Sequence, residues 1–223
     1  MRFSIPVLLY FLFIGSCHGQ YSLTYFDAEY TEINNGLIPE GVAEGWDYPE
    51  YDIPLGFEFT MGQNSFDTLL QDGLGASLQG GSYDDGALFG YIVDIMDPGT
   101  FLDVAPSEIT YSTSGSEGNQ ICKIQYKNVA FVNEVGPLGT AENRSNFQIW
   151  FYESDFSIEI RFGLSNVTNP TLIYEGFEGP TIGLFIGFSN DGADYDYGVL
   201  LAGNPVAPVF QELTPGEDNP QLV

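Results

Sequence analysis

Apolar and polar residues alternate along several short segments of the chain, a pattern typical of β-strands with one buried face. In the segment 156–162 the apolar side consists of Phe156, Ile158, Ile160 and Phe162. The segment 122–127 repeats this alternation, with Cys122, Ile124 and Tyr126 on its apolar side. Cys122 is therefore predicted to be a small core residue.

The segment 147–153 differs, because large aromatic residues lie on both of its sides. Phe147, Ile149 and Phe151 share one side, and Gln148, Trp150 and Tyr152 share the other. Such a strand is either central and covered on both sides, or it presents one side as a binding surface. Ser154 and Asp155 signal a tight turn, so 147–153 and 156–162 are predicted to pair as a β-hairpin.

Turn-forming residues interrupt the whole chain, which has 27 Gly and 13 Pro and no segment with a convincing helical period. Further strands are predicted at 23–33, 53–61, 88–95, 108–113, 181–188 and 197–201. Many short strands separated by turns predict an all-β sandwich or barrel. The predicted core comprises Phe57, Phe59, Ile124, Tyr126, Phe156, Ile158, Ile160 and Phe162.

The first residues have the pattern of a secretory signal peptide: a charged start, an apolar run over 3–14 and small residues after it. Cleavage after Gly19 would leave 20–208 as one β-sandwich domain and 209–223 as an extended tail. The residues before Cys17 also resemble a lipobox, which would make Cys17 a lipid anchor. The chain is thus predicted to be secreted, or to lie in the periplasm or on the outer cell surface, and no later segment is long enough for a transmembrane helix.

Five Lys and Arg residues face 31 Asp and Glu residues, which gives a net charge of −26. Such a surface repels nucleic acids, anionic membranes and acidic polysaccharides, and it attracts cations. The single histidine, His18, lies in the leader, so the rest of the chain has no Ser-His-Asp triad and no histidine metal ligand. These features predict a protein that is not an enzyme.

The segments just described resemble a β-sandwich domain of secreted and surface proteins of Bacteroidota, which are often exported by the type IX system. The resemblance lies in 46–47, 53–59, 107–111, 121–129, 146–153, 158–163 and 179–183, and it extends from Tyr21 to about Pro208. The residues FQIWFYE at 147–153 and IEIRFG at 158–163 are its most specific part. It implies a concanavalin-like or nidogen-like jelly roll, an extracellular location and no established activity. Members commonly continue into a C-terminal sorting domain, and this chain stops at Val223 without one, which argues against type IX export and leaves periplasmic release or the Cys17 lipid anchor.

Two acidic motifs raise other hypotheses. Glu153 and Glu159 resemble the acidic strand of laminarinase-type glycosidases, whose retaining members need two carboxylates roughly 5–5.5 Å apart. A turn is predicted between these two residues, so an exposed hairpin is favoured and the glycosidase is the alternative. Oxygen ligands for Ca²⁺ are present at Asn190, Asp191, Asp194 and Asp196. The competing interpretation of this second motif is an Asp-Gly turn with solvated carboxylates.

A ligand surface is predicted at Trp150 and Tyr152, which lie two positions apart and hence about 7 Å apart on one side of a strand. Gln148 on the same side could hydrogen-bond a sugar hydroxyl. Trp46 lies in an acidic loop, where it either stacks on a sugar or closes the end of the sandwich. The acidic surface favours a neutral glycan as partner unless Ca²⁺ bridges the charges. The sequence predicts a structural or adhesin-like module, or one that binds a glycan or another cell-surface component.

Overall fold

We describe the fold from a computed structural model. It describes residues 24, 26, 28–62, 64–71, 75–80, 87–177, 179–188, 195–203 and 210–213, with the backbone alone for Phe89 and for residues 185 onward. The predicted leader, 1–19, and Cys17 within it lie outside the described residues. No helix in these ranges is both long and apolar enough to cross a membrane.

Twelve strands and two short helices make up the described secondary structure. In chain order they are β1 (Tyr51–Met61), β2 (Asn64–Gln71), β3 (Ala76–Gly80), β4 (Ala87–Ile92), β5 (Ile95–Met96), β6 (Glu108–Ser114), β7 (Ile121–Phe131), α1 (Val132–Leu138), β8 (Ser145–Tyr152), β9 (Ile158–Phe162), α2 (Pro170–Ile173), β10 (Thr181–Phe188), β11 (Tyr195–Gly203) and β12 (Phe210–Leu213).

These strands form two antiparallel sheets that pack against each other. The first sheet has seven strands in the order β1-β2-β3-β4-β10-β11-β12. The second sheet has five strands: β7, β8 and β9 are neighbours in that order, and both β5 and β6 pair with the other side of β7. The chain leaves the first sheet after β4, builds the second sheet and returns as β10 beside β4. The predicted all-β antiparallel sandwich is therefore confirmed.

Strand β1 shows how alternation produces the sandwich. Its odd-numbered residues from Tyr51 to Met61 are buried, and the even-numbered ones are exposed or half-buried. A register shift between Pro54 and Phe59 interrupts the pairing of β1 with β2. Gly56 lies inside this bulge with φ +85°, a conformation that glycine adopts without steric strain.

The core between the sheets contains a stack of three aromatic rings. Phe147 on β8 stacks on Tyr126 of β7 at 4.5 Å and on Tyr91 of β4 at 4.4 Å, measured between ring centroids. The buried hydroxyls are paired: Tyr126 with Tyr51 at 2.7 Å, and Tyr91 with Tyr174 at 3.0 Å. Burying a tyrosine hydroxyl without a partner is unfavourable. Here the ring stacking and the hydrogen bonds of the hydroxyls offset that cost.

The predicted core list is confirmed for Phe57, Phe59, Ile124 and Tyr126, which are all buried. Ile158, Ile160 and Phe162 are half-buried, because β9 lies at the end of its sheet in the described strand order. Phe156 is a correction: its side chain is 43% exposed. Its φ of +56° places it in the turn before β9, and its ring meets Phe59 edge-on at 5.7 Å instead of entering the core.

Several predicted elements differ from the structure. The hairpin of β8 and β9 is confirmed, although its turn is longer than two residues and spans 153–157. No strand forms among the described residues of 23–33. Strands β2 and β3 and both short helices were not predicted. Strand β12 pairs with β11 inside the segment predicted to be an extended tail, so sheet pairing continues past residue 208.

Candidate functional site

The side of the second sheet that faces away from the core carries the polar and aromatic residues of interest. In an antiparallel pair, residues directly opposite each other lie on the same side of the sheet. Lys123, Trp150 and Glu159 are opposite one another across β7, β8 and β9, and Gln125, Gln148 and Arg161 form the next such row. The outer face is defined here as Thr110, Ser112, Lys123, Gln125, Lys127, Gln148, Trp150, Tyr152, Glu159 and Arg161.

Residues 30–37, called the N-terminal strap, cross one part of the outer face. Ile33 donates its backbone N–H to Oε1 of Gln125 at 2.8 Å, and Gln148 donates its Nε2 to the carbonyl of Thr31 at 2.8 Å. Leu37 and Tyr111 exchange two backbone hydrogen bonds of 2.8 Å on the β6 side. The strap buries Gln125 and Gln148 and leaves Trp150 half-buried.

Gln148 was predicted to meet a ligand hydroxyl, and this prediction is wrong because its side chain is fully buried. Its Nε2 also donates to Oε1 of Gln125 at 2.9 Å, so the amide group is fully engaged. Its Oε1 accepts the indole Nε1–H of Trp150 at 2.8 Å. Gln148 therefore fixes the orientation of Trp150.

Trp150 lies between two cations. The Nζ of Lys123 is 3.8 Å from the centroid of the Trp150 ring, and the Cζ of Arg161 is 3.5 Å from it. Lys123 comes from β7 and Arg161 from β9, the strands on either side of β8, so the two groups take opposite faces of the indole. Cation–π contacts of this kind hold the ring rigidly. The predicted platform is therefore an indole with two cations over its ring and not a bare aromatic face.

Tyr152 is half-buried and lies next to Trp150 on the outer face. Its ring centroid lies 6.3 Å from that of Trp150, close to the predicted spacing, and the two planes are tilted by 39°. Glu159 accepts two hydrogen bonds from Arg161, at 2.9 Å from Nε and 2.6 Å from Nη2. Burial, followed by the hydrogen bond to Glu159 and its negative charge, raises the pKa of Tyr152 to about 12. Tyr152 is thus a neutral phenol at physiological pH.

The outer face carries most of the positively charged side chains beyond the predicted leader. Of the four Lys and Arg residues beyond the predicted leader, three lie on the outer face: Lys123, Lys127 and Arg161. Lys127 pairs with Glu32 of the strap at 2.8 Å. Among the described residues no carboxylate forms an ion pair with Lys123. Burial, and then the nearby charge of Arg161, lower the pKa of Lys123.

Glu153 and Glu159 lie in different environments. Glu153 follows β8 and accepts the backbone N–H of Gln120 at 2.8 Å, which lowers the pKa of its carboxyl. Glu159 is held by Arg161 in an ion pair. A retaining glycosidase needs a carboxyl of raised pKa as its general acid, whereas the pKa of Glu153 is lowered.

Trp46 was predicted either to stack on a sugar or to close the end of the sandwich, and the structure buries its side chain. Its side chain is 5% exposed and belongs to the hydrophobic core. Its backbone carbonyl accepts the N–H of Asp97 at 2.8 Å, which ties this loop to the start of the second sheet. A ring this deeply buried offers no surface for a sugar, so the ligand role assigned to Trp46 is corrected.

The predicted calcium ligands Asn190, Asp191 and Asp194 lie outside the described residues, and Asp196 is described only as backbone in β11. Within the described ranges no group of three or more His, Cys, Asp or Glu side chains could hold a metal ion. Cys122 is buried as predicted, and burial raises the pKa of its thiol to about 11. The thiol at physiological pH is therefore protonated.

Sequence reasoning missed Lys123 and Arg161 as partners of Trp150. The signal was available, because Trp150 is directly opposite Lys123 on β7 and diagonal to Arg161 on β9, and all three lie on the same side of the sheet. The strap could not be found this way, because its contacts with Gln125 and Gln148 join residues far apart in sequence.

Comparison with known proteins gives one finding. The family model described as NIDO related matches residues 94–197, from just before β5 to the beginning of β11. The match is compatible with a β-sandwich of an extracellular type, and it includes Lys123, Trp150, Tyr152 and Arg161 but not the strap. No curated protein and no solved structure matches the chain. Over this stretch the chain is similar to NIDO-related domains.

Proposed function

We propose that this chain is an exported β-sandwich module that binds a saccharide on the outer face, around Trp150 and Tyr152. The observation that carries the proposal is the fixed orientation of Trp150, whose indole N–H is bonded to the buried Gln148. A binding group that is already held in place loses little conformational entropy when a ligand arrives.

The chemistry of this surface suits a sugar. A sugar offers hydroxyls around its edge and C–H groups on its faces. Tyr152 contributes a half-buried ring with a neutral hydroxyl, and Trp150 beside it contributes a half-buried indole. Ser112, opposite Lys123 on β6, adds a half-buried hydroxyl on the same face. Aromatic rings with interspersed donors and acceptors are typical of ligand sites with defined orientation.

We also propose that the chain binds its saccharide without hydrolysing it. The lowered pKa of Glu153 and the ion pair of Glu159 with Arg161 disfavour the acid and nucleophile roles of a retaining glycosidase. Turnover of a glucan that is abolished by Glu153→Gln would promote the glycosidase alternative.

Export rests on the pattern of residues 1–19 and on the fit of a NIDO-related domain to an extracellular module. We favour cleavage before Gln20 over lipidation of Cys17. An origin in Bacteroidota and the type IX route stay predictions. Mass spectrometry of the mature N-terminus separates the first two outcomes, since an acylated Cys17 would identify a surface lipoprotein.

A structural or adhesin-like role without a small ligand is the second candidate. The observation that favours it is the strap, which covers Gln125 and Gln148 and thus removes part of the outer face from solvent.

Binding of the exported chain to a panel of immobilised oligosaccharides tests the proposal. Trp150→Ala should abolish binding, while Phe101→Ala should leave it unchanged. Phe101 is a matched control because it is an exposed aromatic residue in a loop outside the outer face. Unchanged binding by Trp150→Ala would reject the site, and no binding to any saccharide would leave the structural role.

A further inference from the structure

Lys123 differs from the other cations of the described chain. Lys127 is paired with Glu32, and Arg161 is paired with Glu159. Arg144 lies away from this face and donates to the carbonyls of Ala141 and Asn128 at 2.9 and 3.0 Å. Lys123 has no carboxylate partner among the described residues, although 31 Asp and Glu residues are present in the sequence.

We propose that the saccharide bound at this site is acidic, a uronate whose carboxylate lies against the ammonium group of Lys123 while its ring lies against Tyr152. This inference rests on the proposed function and names its ligand class. It also reverses the expectation from composition, which favoured a neutral sugar.

The local charge balance supports an anion. The ammonium of Lys123 and the guanidinium of Arg161 are both within 3.8 Å of one indole centroid, and the carboxylate of Glu159 neutralises only the second. One positive charge therefore remains beside the half-buried indole. A carboxylate at Lys123 would form a charge-assisted hydrogen bond, which is stronger than a bond between neutral groups.

The negative charge of the whole chain does not overrule this local balance. At physiological ionic strength the Debye length is about 8 Å, so exposed carboxylates farther away than this are largely screened. Burial and the charge of Arg161 both lower the pKa of Lys123, and a bound carboxylate would offset these effects. Net charge governs the approach of the ligand, whereas groups in contact with Lys123 govern its affinity.

The shape of the site favours a uronate over an acidic peptide. The donors and rings lie on the side of an antiparallel sheet, with Lys123, Trp150 and Tyr152 contributed by two neighbouring strands. A rigid ring with a carboxylate can contact Lys123 and Tyr152 together. A flexible glutamate side chain would lose more conformational entropy to reach the same ammonium group.

The test uses calorimetric titration of the exported chain with trigalacturonate, with its methyl ester and with a glutamate-rich peptide. The ester keeps the sugar ring and removes the charge. Trigalacturonate should bind roughly tenfold more tightly than the ester, the size expected for one charge-assisted hydrogen bond. Lys123→Met should remove this preference, so that the variant binds the acid and the ester with equal affinity.

Lys127→Met is the matched control, because Lys127 lies on the same strand and face but is already paired with Glu32. It should bind trigalacturonate as the unaltered chain does. Far-ultraviolet circular dichroism of both variants verifies that they are folded.

Three outcomes would overturn the inference: equal affinity for the acid and its ester, an unchanged preference in Lys123→Met, or equally tight binding of the peptide. Saccharide binding that depends on Trp150 but not on Lys123 would overturn the inference and retain the proposed function. No saccharide binding at all would reject both.

Discussion

The buried amide of Gln148 accepts the indole N–H of Trp150 at 2.8 Å, and the two residues lie two positions apart on the same face of β8. The same amide donates to Thr31 of the strap and to Gln125 of β7. One side chain thus connects the strap, the neighbouring strand and the half-buried ring of Trp150.

Gln148→Leu should destabilise the fold, because it removes the partner of the Trp150 N–H and leaves the Thr31 carbonyl without its amide donor. The loss of buried hydrogen bonds is worth about 1–3 kcal/mol in the free energy of unfolding. Urea unfolding followed by tryptophan fluorescence measures it. Ser112→Ala, a half-buried position on the same face, should change the free energy by less than about 0.5 kcal/mol. Equal stability of Gln148→Leu and the unaltered chain would show that the amide network contributes little.

The ring stack in the core gives a second prediction. Phe147 is fully buried between Tyr91 and Tyr126, so Phe147→Ala creates a cavity and should cost about 3–5 kcal/mol. Phe156→Ala should cost less, because the Phe156 ring is partly exposed and meets Phe59 only edge-on. Guanidinium unfolding of both variants compares them. A larger loss at Phe156 would mean that the turn residue belongs to the core after all.

Alternation predicted the strands whose two sides meet different environments. It identified β1, β7 and the β8–β9 hairpin, and it placed Phe59, Ile124 and Tyr126 in the core. It failed for β3, Ala76–Gly80, where every residue is buried and no contrast between sides exists. It also failed for Phe156, which has the right position in the alternation but a positive φ that turns it out of the strand.

The candidate site was predictable only in part. The pairing of Trp150 with Tyr152 follows from their positions along one strand, and their 6.3 Å centroid separation agrees with that expectation. The burial of Gln148 does not follow, because it depends on Thr31, which is 117 positions away in the sequence. Contacts of such long range are set by how the chain crosses the sheet, which local patterns do not encode.

Cys122 should be unreactive in the folded chain. Its side chain is fully buried, and burial raises the pKa of its thiol to about 11, so both access and the thiolate fraction are low at pH 8. Iodoacetamide should therefore modify it only when the chain unfolds. The same chain in 6 M guanidinium, about the concentration at which even hyperstable domains unfold, provides the reference rate. Modification of the native chain near that rate would contradict the burial of Cys122.

Glu134 should link stability to acidic pH. Burial raises the pKa of its carboxyl, but hydrogen bonds from the backbones of Glu142 and Asn143 and the side chains of Asn143 and Thr140 outweigh it, and the pKa is lowered overall. A carboxyl whose pKa is lower in the folded chain than in the unfolded chain stabilises the fold at pH values above its unfolded-state pKa. This stabilisation is lost as the pH falls through the folded-state pKa.

Glu134→Gln should therefore lower the free energy of unfolding at pH 7 and reduce the loss that acidification causes. The comparison is between urea unfolding curves of the variant and the unaltered chain from pH 7 down to pH 3. Glu142→Gln is the control, because its side chain is exposed and only its backbone N–H contacts Glu134. The control should follow the unaltered chain at each pH. If Glu134→Gln and the unaltered chain lose stability in parallel on acidification, the Glu134 carboxylate does not account for the loss of stability at acidic pH.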